Sequence, residues 1–125
     1  MTKEEANIAD LLTATAKNCL TCTFQQVFSL FPKNADPTDV YRALDNAARS
    51  ISPPEIANYS ALMAKKDTGC PGDGFFDTFK LKRLSEYEQI AGVNTLTLDL
   101  STEQKEAITA AERSRVYAHA IANHA

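Results

Sequence analysis

The sequence predicts a mainly α-helical single domain with a small β component. Three observations carry this expectation. Serine or threonine stands three residues before Glu or Gln at Thr2/Glu5, Thr23/Gln26, Ser85/Glu88 and Ser101/Gln104, the reciprocal capping pattern of a helix start. Behind most of those starts, apolar residues recur at three- and four-residue spacing. Only residues 60–64 and 96–100 depart from that period toward extended chain. A chain of 125 residues suffices for one hydrophobic core and not two, so 1–125 is read as one domain.

The first helix is expected over residues 3–18, with Ile8, Leu11, Leu12, Thr15 and Cys19 along one stripe. The second opens at Thr23 and places Phe24, Val27, Phe28 and Phe31 on one face before Pro32 ends it. In the third, Asp36 caps, Pro37 suits the first helical position and Asp39 complements the dipole. Val40, Leu44, Ala48 and Ile51 form its inner face, and Pro53 and Pro54 stop it. Its outer face carries Thr38, Arg42, Asp45, Asn46 and Arg49.

Residues 60–64 read as a short strand, although their continuous apolar run also suits a helix. Three of the chain's four glycines, Gly69, Gly72 and Gly74, follow at once, suggesting positive φ or close approach of another group. Phe75, Phe76 and Phe79 then lead a fourth helix, expected to break near Arg83 and to pack on the phenylalanines of the second. Leu96, Leu98 and Leu100 alternate with Thr95, Thr97 and Asp99 as in a half-buried strand. The last helix runs from Ser101 to about Asn123, with an inner stripe of Ala107, Ala110, Ser114, Tyr117, Ala118 and Ile121.

An apolar content of 44% with 23% charged residues is that of a soluble globular chain. No apolar run reaches the ~18 residues of a membrane span, and the N-terminus is acidic and polar, unlike a signal peptide. A cytoplasmic protein with no membrane partner is the expectation. Three cysteines, an odd number, point to free thiols. The net charge is −3 and unevenly spread: residues 60–83 sum to +2 and residues 84–125 to −3.

The stretch 59–76, YSALMAKKDTGCPGDGFF, together with ERSRVY at 112–117, resembles a group of small, mostly uncharacterised bacterial and phage proteins. The quoted match is Ser60-Ala61-Leu62, Lys66, Thr68-Gly69, Pro71-Gly72 and Gly74-Phe75-Phe76. The resemblance implies a winged-helix-like layout, a helix-turn-helix core with short strands and a long C-terminal helix. That layout is distantly similar to the DNA-binding domain of alkylguanine alkyltransferases. Those enzymes place their cysteine in Pro-Cys-His-Arg, whereas Cys70 here precedes Pro71 with no adjacent His or Arg, so the alkyl-acceptor role is not carried over.

Two function classes follow. The first is a small nucleic-acid-associated accessory or regulatory protein that binds duplex DNA. Thr38, Arg42, Asn46 and Arg49 would be its reading face, and Lys65, Lys66 and Lys80 its contacts to the phosphate backbone. The second is a protein-binding inhibitor, immunity or anti-defence protein of a phage or mobile element, whose acidic last helix docks on a basic partner. Catalysis has no support: both histidines, His119 and His124, lie near the end of the chain, and PGDG lacks the Lys-Ser/Thr of a phosphate-binding loop. Cys19 and Cys22, with Cys70 and one histidine, are the ligand types of a zinc site, but no second closely spaced pair accompanies them, so no metal or cofactor is expected.

Overall fold

The computed structural model describes residues 1–124 and shows a mainly helical protein with one very small sheet. Its helices are α1 (Lys3–Lys17), α2 (Phe24–Phe28), α3 (Pro37–Ile51), α4 (Asp73–Lys82), α5 (Leu84–Ala91) and α6 (Thr102–His124). Two strands, β1 (Cys22–Thr23) and β2 (Met63–Ala64), pair in parallel with Cys22 opposite Met63. Helix α1 packs against α3 and α6, and a 3₁₀ turn at Tyr59–Leu62 is wedged among the three. Tyr59, Ala61, Leu62, Ile8, Leu12, Val40, Ala47, Ile108 and Val116 bury their side chains in that wedge and around it. No helix among the described residues is long and apolar enough to cross a membrane.

Capping chemistry sets most helix starts. Thr2 with Glu5 and Thr23 with Gln26 form complete capping boxes, and Asp36 accepts from the Thr38 amide at 2.9 Å with Pro37 in the first turn. At α6, the Ser101 hydroxyl accepts from Gln104 N–H at 3.1 Å while the Gln104 side chain accepts from Ser101 N–H at 2.9 Å. The pattern at Ser85 is not a start. The chain turns at Arg83 (φ −136°, ψ 53°) and α5 opens at Leu84 without a side-chain cap, so Ser85 already lies inside it.

Several expectations are corrected. Cys19 is exposed beyond the end of α1 at φ 54°, and the buried stripe is Ile8, Leu12 and Ala16. Helix α2 ends at Phe28, before Pro32, because Leu30 and Phe31 donate to carbonyls only three residues back and the chain tightens. Residues 60–64 are a 3₁₀ turn and a two-residue strand, since the Asn58 side chain accepts from Ser60 N–H at 3.0 Å and curls the run. Residues 96–100 form a 3₁₀ turn at Thr97–Asp99 with no strand beside it to pair with. Thr97 donates to Asp77 at 2.6 Å, and the Thr95 carbonyl accepts from Tyr87 OH at 2.7 Å, which ties the segment to α4 and α5.

The stripe expected to lie inside α6 faces outward. Ala107, Ala110, Ser114, Ala118 and Ile121 are exposed and Tyr117 is half-buried, while Ile108, Thr109, Glu112, Val116 and Ala120 are buried. The phenylalanines divide into two groups. Phe24 and Phe28 pack edge-on against Tyr41 of α3 at 6.0 and 5.6 Å, whereas Phe75 packs on Phe76 at 5.2 Å and on Phe79 at 6.3 Å.

Candidate functional site

Thr38, Arg42, Asn46 and Arg49 are exposed along one face of α3, as their spacing requires. Three of the four already have partners. Arg42 pairs with Asp39 at 3.1 Å, Arg49 Nε with Asp45 at 3.0 Å, and Asn46 Nδ2 donates to Glu5 at 2.8 Å. Lys65 and Lys66 are exposed on a loop that closes on itself, with Lys65 N–H donating to Cys70 O at 2.9 Å and Gly69 N–H donating to Lys65 O at 2.8 Å. Because β1 and β2 run parallel, that loop is not the tip of an antiparallel hairpin. Lys80 is turned to the opposite end of α4, where its ammonium donates to Thr95 O at 3.3 Å and sits 5.3 Å from the Tyr87 ring centre. Lys80 therefore lines a different groove from Arg49.

A polar staple, unforeseen in the sequence, holds the loop between α3 and α4. Glu112 of α6 is 1% exposed and accepts from Arg83 Nε at 2.7 Å, from Arg83 Nη2 at 3.2 Å and from the Asn58 amide at 3.0 Å. Arg83 Nη2 also donates to the carbonyls of Pro54 and Ile56, both at 3.3 Å. The hydrogen bond to Glu112 holds the Arg83 pKa above its ordinary value. Arg115 pairs with Glu86. Arg113 donates to the carbonyls of Ala61 at 2.7 Å, Met63 at 3.1 Å and Gly69 at 2.9 Å, and burial pulls its pKa down.

Cys22 is buried in β1, and burial pushes its thiol up to about 11, so it is a packed side chain and not a nucleophile. Cys70 is buried as well. Among the described residues, no group of three or more His, Cys, Asp or Glu side chains gathers into a metal-binding set. His119 Nδ1 lies 2.8 Å from Tyr59 OH, anchoring α6 to the 3₁₀ turn.

Two grooves remain. The first, of about 300 Å³, lies between α3 and the glycine turn. Its walls include Phe24, Tyr41, Met63 and Phe75, and its polar lining includes Arg49 and Asn58. The second, of about 580 Å³, is almost wholly apolar and is formed by Leu81, Leu84, Leu96 and Leu98 with Asp77, Lys80 and Thr97 at its edges. These four leucines are 76%, 51%, 58% and 85% exposed. The sequence concealed this groove, because the alternation of Leu96, Leu98 and Leu100 implied one buried face, whereas only Leu100 is buried. Comparison with protein families, with curated proteins and with solved structures finds no match.

Proposed function

We propose that this chain is a protein-binding module whose leucine groove receives a basic amphipathic helix of a partner protein. One observation carries the reading: Leu81 and Leu84, at the α4–α5 break, face Leu96 and Leu98 across an open groove, and all four are exposed. Contiguous apolar surface with a polar edge is the mark of an interaction site. Charge selects the partner. Asp73 and Asp77 line an adjoining hollow with Leu98, and Asp99 follows it in the chain. The cations nearby are engaged, Lys80 on Thr95 and Lys105 over the Phe76 ring at 5.8 Å. Asp73, Asp77 and Asp99 outnumber Lys80 and Lys105 there, and on a chain of net charge −3 that balance favours a basic partner. An inhibitor, immunity or anti-defence protein of a phage or mobile element, acting on a basic partner, is the class within this reading.

A synthetic Leu/Lys amphipathic peptide of about five helical turns tests the reading. Saturable binding should perturb the methyl signals of Leu81, Leu84, Leu96 and Leu98 and weaken with salt, and a Leu/Glu counterpart should not bind. Leu81→Asp and Leu98→Asp should each weaken binding roughly tenfold or more while leaving stability within about 0.5 kcal/mol, because both side chains are already in water. Equal binding of the two peptides, or unchanged binding by both variants, would rule the groove out.

A second reading has its own support in the exposure of Thr38, Arg42, Asn46 and Arg49 on a single helix face. In the winged-helix-like arrangement that the sequence resemblance implies, α3 is the helix that enters the major groove, and the loop bearing Lys65 and Lys66 is the wing on the backbone. Its cost is that duplex DNA must compete with Asp39 and Asp45 for the arginines. The expected behaviour is retardation of a duplex at low salt that declines steeply as salt rises and is lost in Arg42→Ala/Arg49→Ala. Absence of any retardation at low salt removes this reading.

A further inference from the structure

The glycine turn holds a feature that neither conformation nor packing explains. Gly69 has φ +72°, where a side chain would be strained, but Gly72 and Gly74 do not have positive φ. A Cβ built on either meets nothing within 4 Å. Glycine at the head of a helix loses backbone entropy on folding, so alanine would be the better residue at Gly74 on internal grounds. Gly72 is the N-cap of α4, a position that suits glycine, so it is at Gly74 that the remaining physical use of a bare backbone is access from outside the chain. Both glycines line the groove of about 300 Å³ between α3 and the turn.

What they expose is a set of donors. Gly72 caps the ten-residue α4 without offering a side-chain acceptor, and the amides of Asp73 and Gly74 have no backbone acceptor. A second, independent element points the same way. Asn58, only 9% exposed, lines the same groove; its Oδ1 accepts from Ser60 N–H, and its Nδ2 has no partner among the described residues. Arg49 also lines the groove, with Nε committed to Asp45 and its Nη groups free. Opposite these donors stand Phe24, Tyr41, Met63 and Phe75.

From this juxtaposition we propose that the groove between α3 and the glycine turn binds a small organic oxyanion, a carboxylate or phosphate monoester carried on an aromatic or apolar body. The oxyanion meets the first-turn amides of α4, the Asn58 side-chain NH₂ and the Arg49 guanidinium, and the body packs on the aromatic wall. The Asp45 carboxylate on the groove wall disfavours a polyphosphate and selects a ligand with one anionic group. This site is separate from the leucine groove and independent of the partner proposed for it.

Amide NMR titration of the intact chain with phenyl phosphate and with phenylacetate tests the proposal, with inorganic phosphate and acetate as ring-free controls. The ring-bearing probes should move the Asp73 and Gly74 amides and the Asn58 side-chain NH₂ saturably, and whichever binds tighter identifies the oxyanion. Gly74→Ala should raise the melting temperature yet weaken that probe roughly tenfold, and Arg49→Met should weaken it without unfolding the chain. Leu98→Asp should leave it unchanged, so that failure here and failure of the partner reading are told apart. No saturable shift with either ring-bearing probe, or shifts that survive both Gly74→Ala and Arg49→Met, would overturn the proposal.

Discussion

Replacing Glu112 by alanine is expected to destabilise the protein by about 3–5 kcal/mol, a large share of the ~5–15 kcal/mol available to a single domain. Glu112 is 1% exposed, and its two oxygens answer Arg83 Nε, Arg83 Nη2 and the Asn58 amide. Alanine leaves the Arg83 guanidinium largely buried with only the Pro54 and Ile56 carbonyls as acceptors. Thermal unfolding should show the midpoint falling by roughly 10–20 °C. Glu112→Gln keeps an acceptor but not the charge, and should fall between wild type and alanine. The decisive comparison is the double variant Arg83→Met/Glu112→Leu. Removing both charges together spares the desolvation of each, so much of the loss should return. A double variant as unstable as the two single losses added would show that the pair acts through packing and not through charge.

The same residue shows where sequence reasoning stops. Capping boxes were legible because donor and acceptor lie within four residues, and those at Thr2, Thr23 and Ser101 formed as written. The box at Ser85 had the same letters, but the break at Arg83 had already started the helix. The stripe expected inside α6 runs through Ala107, Ala110, Ser114, Tyr117, Ala118 and Ile121 and omits Glu112. The observed stripe is set by Ile108, Glu112 and Val116, and Glu112 belongs to it only because Arg83, 29 residues away, arrives to pair with it. A tertiary partner of that kind leaves no local signal. The α3 face was legible for the opposite reason, since exposure of Arg42, Asn46 and Arg49 follows from helical spacing alone. Their pairing with Asp39 and Asp45 follows from the same spacing, whereas the bond from Asn46 to Glu5 of α1 does not.

Arg113→Met is expected to cost about 2–4 kcal/mol, and its effect should be concentrated in the glycine turn. Its guanidinium binds the carbonyls of Ala61, Met63 and Gly69, which span the end of the 3₁₀ turn, β2 and the loop that follows. A charged donor holding carbonyls is among the stronger hydrogen-bonding arrangements, and the Ala61 and Met63 carbonyls are too enclosed to turn freely to water. Glu112 and Arg113 are adjacent in α6 but grip opposite ends of one loop, at Asn58 and at Gly69. Hydrogen exchange separates their effects. In Arg113→Met, the amides of Lys65 and Gly69, which close the loop on Cys70 and Lys65, should lose protection beyond the global change, while Asn58 should not. Arg113→Lys should recover only part, because a single ammonium cannot address three carbonyls as a planar fork does. If Arg113→Met loosened residues 58 and 65–70 equally, the loop would be one cooperative unit held from either end, and the division of labour between Glu112 and Arg113 would fail. If only 65–70 loosened, Arg113 would be the residue that sets the position of the glycine turn, and with it the lip of the groove that Gly72 and Gly74 leave open.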